Sequence, residues 1–80
     1  MKAKIHVSLK TGVLDPQGKA IETSLHSLGF DGAQNVRQGK LIEIDLPTDD
    51  QAEAQKLVDE MCSKLLANPV MEKYTVEFVS

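Results

Sequence analysis

Residues 2–10, Lys-Ala-Lys-Ile-His-Val-Ser-Leu-Lys, alternate strictly between small or apolar side chains and polar ones. A strand points successive side chains to opposite sides, so Ala3, Ile5, Val7 and Leu9 share one face. Lys2, Lys4, His6, Ser8 and Lys10 share the other. This is the pattern of a half-buried strand, and Gly12 ends it. The rest of the chain must cover the apolar face.

Two helices are expected to do so. Asp15-Pro16 open the first, Asp as an acceptor for a free N–H of the first turn and Pro at the first helical position. Ala20, Ile21, Leu25 and Leu28 recur at helical spacing, and Gly29 supplies the stop. Gly18 weakens the first turn, by at most ~1 kcal/mol relative to Ala. Thr48-Asp49-Asp50-Gln51 reads as a capping box with Thr48 as the cap of the second helix. That helix is expected to bury Ala54, Leu57, Val58, Met61, Cys62 and Leu65, and Asn68-Pro69 end it.

Strand-like text lies between the helices at residues 33–37 and again at 40–46, with Gly39 in between. Ile42, Ile44 and Leu46 alternate with Glu43 and Asp45. A three-residue turn, Gln38-Gly39-Lys40, sets Val36 opposite Ile42 on the core face and is the favoured register; a two-residue turn, setting it opposite Leu41, stays open. Tyr74, Val76 and Phe78 alternate with Thr75, Glu77 and Val79 in a last strand. The order β-α-β-β-α-β with right-handed crossovers predicts an α+β, ferredoxin-like sandwich: a four-stranded antiparallel sheet with two helices on one face, forming a single domain over residues 1–80. The uncovered sheet face is expected to carry Lys4, His6, Ser8, Arg37, Glu43, Asp45, Thr75 and Glu77, with Leu41 and Val79 at its margin.

Composition narrows the function. Nine Lys+Arg against twelve Asp+Glu give a net charge of −3, where a nucleic-acid-binding domain is usually strongly basic. The lone Cys62 cannot form an internal disulfide or a multi-cysteine zinc site. No apolar run approaches the ~18 residues of a membrane span, and no apolar leader follows Met1. A soluble cytoplasmic protein is expected. A domain of 80 residues buries only ~60% of its unfolded surface and gains much by pairing with another copy or a partner.

No catalytic constellation emerges. His6 stands on an outward strand position with no nucleophile or carboxylate fixed beside it, and His26 sits in mid-helix. Cys62 falls near an apolar stripe, far from the helix N-terminus that would lower its pKa. Lys10-Thr11-Gly12 matches a triplet of penicillin-binding enzymes without its companion motifs. Asp45, Asp49 and Asp50 lack the spacing of a calcium loop, and helix-dipole complementation accounts for the last two. No catalytic, cofactor or metal site is expected.

Three stretches carry a resemblance: Leu9-Lys10-Thr11-Gly12-Val13-Leu14-Asp15-Pro16-Gln17-Gly18, Val36-Arg37-Gln38-Gly39-Lys40, and Leu65-Leu66-Ala67-Asn68-Pro69-Val70-Met71-Glu72, with Leu28-Gly29-Phe30 between. Together they resemble the PurS family, small subunits of phosphoribosylformylglycinamidine synthase. The resemblance implies a non-catalytic assembly subunit, a homodimer or tetramer that holds a glutaminase subunit and a synthetase subunit together. The synthetase would use ATP and magnesium to convert formylglycinamide ribonucleotide to the formylglycinamidine with glutamine-derived ammonia. The small subunit would bind no cofactor, nucleic acid or membrane.

On this reading Lys10, Leu14 and Gln17, in the loop and helix start, and Arg37 and Lys40, at the hairpin tip, are candidate subunit contacts. Gly12, Asp15, Pro16, Gly18, Gly39, Asn68 and Pro69 are structural. Two rivals share the fold. A small-molecule-sensing regulatory domain would bind an effector between domains. An RNA-binding domain would need aromatic side chains on the open sheet face, where none is expected because Tyr74 and Phe78 have core-facing parity.

Overall fold

A computed structural model describes residues 1–79. The opening strand forms as its alternation requires: β1, Lys2–Leu9, is the central strand of an antiparallel sheet. It lies between β2, Gly39–Asp45, and β3, Glu72–Val79. Ala3 stands opposite Ile44 and Phe78, Ile5 opposite Ile42 and Val76, and Val7 opposite Lys40 and Tyr74. These rows form the apolar face.

On the reverse face Lys4 stands between Glu43 and Glu77, and His6 between Leu41 and Thr75. Opposite charges facing across strands favour this register. Both aromatics of β3 point to the other side, so the open face has no base-stacking platform.

One helix covers the apolar face. In α2, Gln51–Met61, Ala54 and Val58 are fully buried and join Cys62 against Ala3, Ile5 and Val7. Full burial of a side chain the size of Val58 or Ile5 contributes about 1.5–3 kcal/mol. The Tyr74 hydroxyl donates to Asp59 Oδ1 at 2.9 Å and fastens β3 to the helix. Asp50, not Thr48, caps α2: its carboxylate accepts from the Ala52 amide at 3.0 Å, while the Thr48 hydroxyl accepts from the Asp50 amide and donates to Glu53. The cap is therefore shifted two residues along the chain.

The helix then widens into a π turn, Cys62–Leu66, closed by the Ala67 amide on the Cys62 carbonyl. A π turn inserts an extra residue per turn and rotates the residues beyond it. Leu65, expected in the core, is consequently 83% exposed, and Ala67 is buried in its stead.

The larger departure concerns residues 33–37. No strand and no hairpin form there, so the sheet has three strands and not four. Strand pairing needs backbone amides free to meet a neighbouring strand. Here the Val36 amide donates to Glu22 and the Gln38 amide to Asp15, and Asn35 takes a left-handed φ of 57°. Side-chain carboxylates have captured the donors a ladder requires.

Those carboxylates belong to the cap and first turns of α1, Pro16–Ser27, whose placement also differs from expectation. The helix ends in a Schellman motif: Gly29, with a φ of 97°, donates to His26 and the Phe30 amide to Leu25. Yet α1 does not lie on the sheet. Gly18 is its only buried residue, and none of its side chains joins the core cluster. The molecule is 47 Å long, with a radius of gyration of 15.9 Å where a compact chain of this size would have about 12 Å. Helix α1 and the segment returning along it form an arm.

Candidate subunit interface at the motif junction

The three stretches singled out in the sequence converge at one end of the sheet. The Lys10 amide donates to the Met71 carbonyl at 2.8 Å, and its ammonium donates to the Pro69 carbonyl at 2.7 Å. These bonds tie the first stretch to the third. The Arg37 guanidinium donates to the carbonyls of Val13 (3.0 Å) and Lys10 (3.3 Å), tying the second stretch to the first.

Asp15 stands at the centre. One carboxylate oxygen accepts from the Gly18 amide at 2.9 Å, as an N-cap should. The other accepts from the Gln38 amide at 2.8 Å, a residue 23 positions away. The side chain is only 7% exposed. Its pKa lies below the ordinary carboxylate value, chiefly through the Gln38 bond and then the Gly18 bond, with Arg37 nearby adding to the effect against the opposing influence of burial. Gly18 lets the helix approach the returning segment: a Cβ there would collide with the Val36 carbonyl oxygen.

Two further residues complete the seam. Glu22 accepts from the Val36 amide at 3.3 Å, which with the nearby Lys19 lowers its pKa. His26 Nε2 lies 2.6 Å from the Ala33 carbonyl oxygen. Neither contact is foreseen from the sequence. The signal lies in spacing, since Gly18, Glu22 and His26 are four residues apart and line one side of α1. At the third stretch the Asn68 carboxamide accepts from the Val70 amide, and the Asn68 amide donates to Glu72. The chain is thereby turned into β3.

All five candidate contact residues are exposed, Leu14 at 78%. Gln17 and Lys40 line the same open cleft of about 540 Å³ with Asp15, Val7, Leu9 and Glu72. Leu14 and Arg37 line a second, of about 390 Å³, on the other side of Asp15. Lys10 belongs to neither; its ammonium is held on Pro69. Arg37 is no part of the open sheet face, and Lys40 sits in β2 opposite Val7 and not at a hairpin tip. Polar groups of Lys10 and Arg37 are spent inside the chain, whereas Leu14, Gln17 and Lys40 point outward.

His6 is exposed between Leu41 and Thr75. Cys62 is fully buried, and burial, aided by the charge of Asp59, raises its pKa and keeps it a thiol. Among the described residues no group of three or more His, Cys, Asp or Glu side chains converges as metal ligands would, and no helix is long and apolar enough to cross a membrane.

A sheet covered by one helix, an arm carrying the other, and a bonded junction with clefts on either side define a small α+β domain. The PurS family model, described as phosphoribosylformylglycinamidine (FGAM) synthase, matches residues 2–80. The chain belongs to that family. It is 49% identical to the phosphoribosylformylglycinamidine synthase subunit PurS of Bacillus subtilis over 76 residues, 95% of this chain and 89% of that one. The crystal structure of Methanocaldococcus jannaschii PurS superposes with a TM-score of 0.85 at 39% identity, covering 95% of this chain and 92% of that one. A chain in the structure of PurLQS from Thermotoga maritima gives 0.85 at 33% identity, over 95% and 93%.

Proposed function

We propose that this chain is the non-catalytic assembly subunit of phosphoribosylformylglycinamidine synthase in purine biosynthesis. It brings a glutaminase subunit and a synthetase subunit together so that ammonia from glutamine reaches formylglycinamide ribonucleotide. ATP and magnesium are used in the synthetase, and this chain holds no cofactor of its own. It works in the cytoplasm as a homo-oligomer, and its fold is a member of the ferredoxin-like group lacking one edge strand. The observation that carries the reading is the match to a chain of the Thermotoga maritima PurLQS structure over 95% of the sequence. The outward-facing Leu14, Gln17 and Lys40 beside the junction supply the contact surface.

The test omits one subunit at a time. Matched glutaminase and synthetase subunits are combined with ATP, magnesium and the ribonucleotide, and amidine formation is followed with and without this chain. Glutamine-driven turnover is expected to need the chain, while turnover on free ammonia largely does not. Equal rates without it on both donors would overturn the reading and bring the effector-sensing domain forward.

The contact surface has its own probe. Charge reversal at Arg37 would act on the fold, because its guanidinium holds two carbonyls of the β1–α1 loop. Lys40→Glu leaves those bonds intact and is expected to weaken binding to the synthetase roughly tenfold, measured by titration calorimetry, with the melting temperature unchanged. An unchanged Kd removes the cleft from the interface.

A further inference from the structure

Beside the Lys10-Thr11-Gly12 turn, at one end of the open sheet face, lies a cleft of about 290 Å³ lined by Ser8, Leu9, Thr11, Gly12, Arg37 and Lys73. These residues come from β1, the β1–α1 loop, the segment returning from the arm, and β3. Two are cations, two carry hydroxyls and none is acidic. Lys73 is exposed and stands opposite Ser8 across the β1–β3 ladder. Among the described residues, neither its ammonium nor the Ser8 and Thr11 hydroxyls have a hydrogen-bond or ion-pair partner. Gly12, with a φ of 91°, lies in a turn closed by the Val13 amide on the Lys10 carbonyl, and the Thr11 and Gly12 amides inside that turn are likewise unpaired among the described residues. Arg37 spends two donors on the Val13 and Lys10 carbonyls and keeps the rest of its fork.

The acids that could neutralise these cations are engaged or remote. Both oxygens of Asp15 accept from amides. Glu72 has the opposite parity to Lys73 and accepts from the Asn68 amide. The next acid on the open face of β3 is Glu77, roughly 13 Å further along the strand, and it stands opposite Lys4. Charges are thus balanced at one end of the face and unbalanced at the other, in a chain of net charge −3. We propose that this cleft binds a phosphate group, either inorganic phosphate or the phosphate of a small monoester. A tetrahedral dianion suits the donor set: Arg37 and Lys73 supply charge from two segments, and the hydroxyls and turn amides supply further donors for its oxygens. Glu43, Asp45 and Glu77 along the rest of the face repel a polyanion, so the ligand is small. Once bound, it links β3 to the Arg37 segment and stiffens the base of the arm.

The test titrates inorganic phosphate into the full chain at constant ionic strength, balanced with chloride, and follows amide shifts by NMR. Saturable shifts are expected at Ser8, Thr11, Gly12, Arg37 and Lys73, with a Kd of about 1–10 mM. Lys73→Gln removes an exposed cation without breaking a bond and is expected to weaken binding about fivefold or more. Lys4→Gln, at the balanced end of the face, should leave the Kd within about twofold. Phosphate should also raise the melting temperature of the wild type more than that of Lys73→Gln, whereas its general salting-out effect moves both alike. Ribose 5-phosphate reports the source: binding at least as tight as that of inorganic phosphate assigns the site to a monoester, and weaker binding assigns it to the free ion.

Shifts that stay linear up to about 50 mM phosphate, or saturable shifts equally strong in Lys73→Gln, overturn the site. Acetate binding as tightly as phosphate would make the cleft a seat for a partner's carboxylate side chain and overturn the phosphate assignment. Neither outcome touches the subunit-omission result, so the assembly role stands or falls separately.

Discussion

Asp15→Asn is expected to lower the melting temperature by roughly 5–15 °C and to loosen the arm, although the side chain keeps its shape. The carboxylate offers an acceptor to each of two amides, Gly18 and Gln38. A carboxamide has one acceptor and one donor, so one amide must face an N–H group. Hydrogen exchange should show residues 33–38 losing protection first, while β1, β2 and β3 stay protected.

The same group gives a pH dependence. Its pKa is depressed in the folded chain, so its stabilisation is complete above the ordinary unfolded carboxylate value near ~4 and is lost as pH falls through the lower folded value. Acid melting of the wild type should therefore steepen below about pH 4, and Asp15→Asn should flatten that portion of the curve. Equal slopes in the two proteins would remove Asp15 from its central place in the junction.

Gly18→Ala carries the second large effect, and its sign runs against helix propensity. Alanine in a helix is favoured over glycine by ~1 kcal/mol, which alone would predict a more stable chain. The added methyl meets the Val36 carbonyl oxygen and lies 2.9 Å from an Asp15 carboxylate oxygen. One obstacle is backbone and the other is the cap itself, so neither can move without breaking the seam. Overpacking of this kind costs about 1–3 kcal/mol, and denaturant titration should show a net loss. Gly32→Ala is the control: its position is open, and stability should hold or rise slightly. A stabilised Gly18→Ala would mean that the returning segment is not seated against α1.

Most elements were legible because each is written in its own local period. The alternation of Ala3, Ile5 and Val7, the Asp15-Pro16 start, the Gly29 stop and the parity of Tyr74 and Phe78 all hold. The failures share a cause, which is competition from groups distant in sequence or geometry. Residues 33–37 carry strand-like side chains, but amides in and just beyond this stretch are claimed by Glu22 and Asp15, and composition does not record who claims an amide. Leu65 has the right helical phase for the core until the π turn inserts a residue. Thr48 is a sound cap in isolation, and Asp50, two residues on, takes that role. The position of α1 was least legible, since an apolar stripe predicts a covered helix face, whereas Ile21 and Leu28 stay exposed on the arm. At the junction the sequence named the residues, while the Lys10 and Arg37 bonds to backbone carbonyls emerged only in three dimensions.

The place of β1 at the centre of the sheet has a consequence for how the protein is made. Strand β1 needs both neighbours, and β3 follows it in the chain only after both helices. Until Glu72–Val79 have emerged, the nascent chain can close at most the β1–β2 pair, and an isolated two-stranded pair is marginal in water. The sheet is closed by pairings such as Lys2 with Val79, between residues far apart in sequence, and such long-range closures are slow. A stalled or truncated product would display unsealed strand edges, a form prone to aggregation and degradation.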